Sequence, residues 1–231
     1  ESAIPILSSM EDLGYKVNIQ ILKGEDFGVP QKRRRVFFVG NLFGKDFDFP
    51  KPEFDGINKK FRTVWEAIGD LPDLEANKEI KEYDKIPQTK FQEFLRNGQL
   101  KLEEHKAPNH SEIMIKRMEN IQQGQNHSNL PENLKLGSGY PNIYGRLIAD
   151  EPSDTITGNC GCISAPGRFI HPFKHRANTV REGARLQSFR DNKKFVGPQN
   201  SKYKQVGNAV PPLLAKALAL KIKEFLSNNS R

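Results

Sequence analysis

The chain has 231 residues, of which 36% are hydrophobic, enough for one medium domain or two small ones around a modest core. Its 36 lysines and arginines outnumber 28 aspartates and glutamates, a formal charge of +8, and that excess favours a polyanionic partner such as nucleic acid. No apolar run approaches the roughly 20 residues that cross a bilayer, and Glu1 to Ile6 is no secretory leader, so a cytoplasmic address without a membrane partner is expected.

The chain opens at Glu1 directly into a helical pattern, as if cut from something longer. Ile4, Ile6, Leu7, Met10 and Leu13 follow a helical period, and Gly14 stands where a left-handed cap ends a helix. Tyr15, Val17, Ile19 and Ile21 then alternate with Lys16, Asn18, Gln20 and Leu22, the period of a strand with one buried face. Val36 to Val39 reads as a second strand, pairing antiparallel with the first across the basic loop Gly24 to Arg35. From Asn41 to about Phe173 the texture turns to proline, glycine, asparagine and lysine with short apolar runs, which describes a second, irregular domain. Inside it Thr63 to Glu66 forms a capping box opening a short helix, and Phe91 to Leu95 and Ser111 to Ile121 predict two more. Thr179 to Glu182 is another capping box. Pro211 and Pro212 suit the first turn of a final helix, with Leu213, Leu214, Ala217, Leu218, Ile222, Phe225 and Leu226 as its apolar stripe. Cys160 and Cys162 are too close for a useful disulfide and too few for a four-ligand zinc site, so they read as reduced thiols and no metal is expected.

Two constellations carry chemistry. In Gly28-Val29-Pro30-Gln31-Lys32-Arg33-Arg34-Arg35, residues Gln31, Arg33 and Arg35 alternate on one side of an extended segment. Guanidinium groups suit phosphate oxygens or a base carbonyl; a solvated basic turn fits the same residues. In Tyr203 to Pro212, Gly207 permits a tight backbone and Asn208 is a candidate N-cap or ligand contact at a helix N-terminus suited to a carboxylate-bearing ligand. An ordinary helix start fits equally.

Taken together, and in order, these segments resemble the DNA cytosine-5 methyltransferase family, of the bacterial restriction-modification type, along essentially the whole chain. Gly28 to Gly40 is similar to its Gln-x-Arg-x-Arg motif, and Thr63 to Pro72 to the start of its recognition domain. Asp150 to Thr157 resembles the segment with a Thr-Ile pair, Arg181 to Phe189 the penultimate motif, and Gln205 to Val210 the last. The resemblance implies an α/β fold: the C-terminal part of a Rossmann-like S-adenosylmethionine-dependent methyltransferase plus a small, irregular α+β target-recognition domain. Residues 1–40 would end the catalytic domain, 41–173 form the recognition domain, and 174–231 carry the closing motifs. By the same resemblance Arg35 touches a flipped-out cytosine, Arg33 the nearby phosphates, and Gln31 fixes the loop. Thr155 contacts the DNA backbone, and Asn208 and Ala209 lie against the methionine part of the cofactor S-adenosylmethionine. Arg181, Glu182 and Arg185 fall in a motif that is mainly structural in the family, and helix capping alone accounts for Glu182.

Some positions depart from the family pattern: Arg190 stands for a proline, Asn178 for a leucine, and Gly183 for a small non-glycine residue inside a helix. The family's Gly-rich cofactor turn, Pro-Cys nucleophile and Glu-Asn-Val motif are not in this sequence. Cys160 lacks the preceding proline and is rejected as the nucleophile. The expectation is therefore a C-terminal part that acts on double-stranded DNA with an N-terminal half in the same or a separate chain, leaving the edge of strand Tyr15 to Leu22 exposed. A non-catalytic DNA-binding or specificity subunit is the alternative; retained Arg35, Asn208 and Ala209 argue against it. The recognition region is longer than the RNA-methylating branch of the family needs.

Overall fold

A computed structural model describes residues 3–137 and 140–229. Helix α1 (Ala3–Asp12) stops where Gly14 takes φ +84° and donates its N–H to the Glu11 carbonyl at 2.8 Å, a left-handed conformation that glycine adopts without a Cβ penalty. Strands β1 (Lys16–Lys23) and β2 (Arg34–Asn41) pair antiparallel, with Leu22 opposite Arg35 and Gln20 opposite Phe37. Opposed residues share a face. One face puts Leu22 and Phe37 against Phe27, Val29 and Leu214; the other, which the alternation marks as the buried one, leaves Ile19, Ile21 and Val36 exposed, a correction set by the packing of Leu22 on Leu214. Among the described residues β1 has no strand neighbour but β2.

Regular structure is sparse between residues 41 and 173. Helices α2 (Val64–Ile68), α3 (Lys90–Arg96) and α4 (Glu112–Glu119) fall where the capping signals and apolar runs put them. The Thr63 hydroxyl accepts the Glu66 N–H at 3.2 Å while the Glu66 carboxylate accepts the Thr63 N–H at 2.8 Å. Strands β3 (Gly145–Arg146) and β4 (Arg168–Ile170) are short and parallel. Irregular backbone must find partners other than a ladder for its buried carbonyls, and a buried arginine supplies them. The Arg146 guanidinium donates to the carbonyls of Met118, Ile121, His171 and Lys174.

After these come α5 (Val180–Leu186), α6 (Gln199–Asn208) and α7 (Pro212–Asn229). One hydrophobic cluster joins Val64, Ile68, Phe91, Leu147, Ile156 and Phe169 to Val180, Leu186, Tyr203 and Val206. The closing segment thus packs as one body with parts of segment 41–173. Every residue of α5 is buried. Its polar members are satisfied inside: Arg185 pairs with Asp70 and Asp191, and Arg176 grips Glu182 through two bonds of 2.8 and 2.7 Å. Capping is therefore only part of what Glu182 does. Gly183 has a packing reason, since a Cβ there would lie 3.1 Å from Cys160 Sγ. Arg190 lays its guanidinium 4.4 Å from the Phe94 ring centroid. Asn178, by contrast, is fully buried with neither side-chain polar atom partnered.

Helix α6 is a correction to the sequence reading. Its sequence, QNSKYKQVGN, buries only Tyr203, Val206 and Gly207 and so carries no apolar stripe to announce it. Asn208 consequently ends α6 and does not cap α7. The anion-binding helix start is corrected with it: Pro211 and Pro212 have no N–H to offer, and the Leu213 N–H is taken by the Ser188 hydroxyl at 3.2 Å.

Candidate functional site

The alternation of Gln31, Arg33 and Arg35 brings the three side chains to one side, but their fates differ. Arg33 is 1% exposed. Its guanidinium donates to the carbonyls of Ile156 at 2.8 Å, Gly207 at 2.7 Å and Ala209 at 3.3 Å, and to Gln31 Oε1 at 3.4 Å. Burial above all, aided by the neighbouring charge of Arg35, lowers its pKa to about 10, so it is still protonated at neutral pH. The remaining donor, Nε, is buried without a partner, so no N–H of this guanidinium is open to a phosphate. The expected phosphate contact at Arg33 is corrected: in this structure it is an internal clamp.

Gln31 is also buried. Its amide donates to the Leu186 carbonyl and to Gln187 Oε1, both at 3.2 Å, and accepts the Ile156 N–H at 2.8 Å. Gln187 in turn donates to the Val206 carbonyl at 2.9 Å. The neighbouring segment is drawn alongside: Ser153 N–H and Oγ both donate to the Pro30 carbonyl, Lys32 N–H donates to the Ser153 carbonyl, and Thr155 Oγ1 to the Lys32 carbonyl at 2.9 Å. The C-terminal turn of α6 closes the third side. A Cβ on Gly207 would collide with the backbone of Thr157 and Gly158, so only glycine lets these two main chains touch. Residues 31–35, 153–157 and 207–209 therefore meet, although 123 and 174 positions separate Arg33 from its partners Ile156 and Gly207.

What remains free lies around this clamp. Arg35 is half-buried, donates only to the Arg34 carbonyl, and has no ion-pair partner among the described residues. Thr155 is half-buried and keeps acceptor capacity on its hydroxyl. Asn208 is exposed, and its amide makes no hydrogen bond among the described residues. That free amide suits the edge of a polar ligand, whereas no cavity described is lined by Asn208 or Ala209. Cys160 is buried, and burial pushes its thiol up to about 12, far from thiolate chemistry. Gly207 is the tight-backbone glycine the sequence marks, whereas Ser153 and Gln187 have no site role from the sequence; Gln187 lies inside a recognisable motif, while nothing local marks Ser153.

Comparison with solved structures places the chain in an α/β methyltransferase fold. A protein described as a DNA modification methyltransferase of an Escherichia coli prophage superposes with a TM-score of 0.70 at 23% identity, over 94% of this chain and 62% of that one. The C-5 cytosine-specific DNA methylase family model matches residues 4–224, and the chain belongs to that family. Among its relatives, the type II methyltransferase M1.HphI of Haemophilus parahaemolyticus is 36% identical over 96% of this chain, and M.DdeI of Desulfomicrobium norvegicum is 35% identical over 96%. The rice DNA (cytosine-5)-methyltransferase 1B is 33% identical over 94%. The chain spans 52% and 58% of the two bacterial relatives and 18% of the rice enzyme.

Proposed function

We propose that this chain is the C-terminal part of a DNA cytosine-5 methyltransferase, carrying target recognition, the flipped-base contact and one margin of the cofactor pocket. A half bearing the Pro-Cys nucleophile, in the same chain or a separate subunit, completes the enzyme. The convergence of three distant segments on Arg33 carries this reading, because a plain basic turn or an ordinary helix start has no need of it. Residues 1–40 end a Rossmann-like catalytic domain, 41–173 supply target recognition, and 174–231 return to the catalytic side.

The free Arg35 guanidinium donates to the carbonyl of a cytosine extruded from the duplex. Gln31 holds that loop against α5, and Thr155 meets the DNA backbone beside the target. Arg33 positions: it fixes the Asn208–Ala209 turn relative to Arg35, so that the cofactor margin and the base contact move as one unit. When bound, S-adenosylmethionine supplies the methyl group. Asn208 and Ala209 orient its methionine part, and the enzyme works on cytoplasmic double-stranded DNA.

The test joins this chain to an N-terminal half taken from a bacterial relative and follows labelled methyl transfer to duplex DNA. Arg35→Ala is expected to lower transfer far more than duplex binding, because its contact forms after flipping. No transfer from a folded, stably associated pair refutes the reading.

A further inference from the structure

Outside the segments assigned above, residues 53–62 lie against the loop that carries Arg35. Asp55 builds a tight turn there, its carboxylate accepting the N–H groups of Ile57, Asn58 and Lys59 at 2.9, 2.8 and 3.0 Å and the Asn58 amide at 2.6 Å. These bonds, that of Lys59 first, hold its carboxyl down to about 2. The turn projects into solvent, with Ile57 at its tip 84% exposed. Its base is aromatic: Lys59 Nζ stands 3.9 Å from the Phe54 ring centroid, and the Arg62 guanidinium lies 4.0 Å from that of Phe91 and 5.4 Å from that of Phe54.

Arg62 is a cation without an internal anion. Among the described residues no carboxylate lies within ion-pair distance and its guanidinium makes no hydrogen bond; Nε is buried and unpartnered. Glu66 and Glu53 act on its charge from beyond ion-pair distance, Glu66 held in the capping box and Glu53 at 3.7 Å from Lys59. Stacking uses the faces of a guanidinium and leaves its in-plane N–H groups for an acceptor.

The position is continuous with the site. A Cβ on Gly28 would sit 3.2 Å from Arg62 Nε. Glu151 links the two flanks, pairing with Lys32 at 3.2 Å through its side chain and accepting the Val64 N–H at 2.8 Å through its carbonyl. A rim of Thr155, Lys32, Arg62 and Lys59 therefore borders the loop, with exposed Lys60 beside it.

We propose that Arg62 and Lys59, with Lys60, form a second phosphate seat for duplex DNA on the flank of the Arg35 loop. The inference rests on the DNA reading above. An ammonium and a pre-stacked guanidinium suit the spaced oxygens of a polyphosphate backbone, and each phosphate neutralised releases counterions.

Fluorescence anisotropy of the full chain with a labelled random-sequence duplex, at several salt concentrations, tests it. Arg62→Gln is expected to reduce the slope of log affinity against log salt by about 0.9, one phosphate contact, and Lys59→Gln/Lys60→Gln by about 0.9 to 1.8. Lys223→Gln, a control on an exposed lysine of α7 outside the recognition segment, leaves the slope unchanged. An unaltered slope in both seat variants overturns the seat while the DNA reading stands, and an equal drop in the Lys223 control reduces the effect to net charge and overturns it too. Should Arg62→Gln fail to fold, the surface double variant decides alone. No salt-dependent binding by the parent chain removes both the seat and the DNA reading.

Discussion

Acidification offers a direct test of the buried polar network. His171 is 5% exposed, and its Nδ1 accepts the N–H groups of both Phe173 and Lys174 at 3.1 Å. An accepting Nδ1 puts the proton on Nε2, which faces Glu182 Oε1 at 3.9 Å. Burial first, then the charges of Arg176, Arg146 and His105 against the opposing pull of Glu182, pushes the imidazole down to about 3. In the unfolded chain it titrates near 6.5. The folded value is the lower one, so the unfolded state takes up the proton first as pH falls. The stability His171 contributes is complete above about 6.5 and drains as pH falls toward about 3. Integrated from pH 7 to pH 5, the loss is about 2 kcal/mol, set against a typical total of ~5–15 kcal/mol. His105 and His110, also lowered by burial, act with the same sign. Urea unfolding followed by far-UV circular dichroism at pH 7, 6 and 5 measures this, with His171→Asn expected to be less stable at pH 7 but flatter in its pH profile. Stability that is level or higher at pH 5 refutes a buried neutral imidazole.

Three further outcomes follow from the same interior. Glu182→Ala strands the Arg176 guanidinium and is expected to cost about 3–5 kcal/mol, part of which Glu182→Leu/Arg176→Met restores in a double-mutant cycle of urea unfolding. Asn178→Leu removes an amide whose two polar atoms are buried without partners, and a gain of about 1–3 kcal/mol is expected; a lowered melting temperature would mean the amide is bonded in solution. In thiol titration of the native chain one cysteine reacts quickly, exposed Cys162, and Cys160 only after denaturation; two fast thiols contradict the packing of α5 on Cys160.

What was legible in the sequence is what local chemistry decides. Gly14, the Thr63 and Thr179 capping boxes and the alternation in β1 each act within a few residues, and the elements they predict lie within a residue or two of their expected places. α6 was not legible because its inward face is only Tyr203, Val206 and Gly207, an i, i+3, i+4 set with two apolar side chains, too short a stripe to stand out among polar neighbours. The same limit explains Gly183. Helix propensity makes it a cost of up to about 1 kcal/mol, yet the facing Cys160 Sγ leaves little room for a larger residue.

The row Gln31, Arg33, Arg35 makes the limit concrete for the site itself. Alternation settles which side the three share, and nothing in their own neighbourhood separates a buried guanidinium from a free one. The separation is imposed from residues 156, 207 and 209, whose main-chain carbonyls converge where Arg33 happens to reach and Arg35 does not. Carbonyls are supplied by every residue type, so such an acceptor set leaves no trace in composition or spacing. Burying a guanidinium is costly unless its donors are matched. Here the Nη1 and Nη2 donors are matched, Nε alone staying unpartnered, and the carbonyls come from a loop and a helix C-terminus, two places where carbonyls are left without ladder partners. The arginine and the irregular backbone thus largely satisfy each other, which is why the row holds two residues, Gln31 and Arg33, that serve the protein, and leaves the third, Arg35, without an ion-pair partner among the described residues.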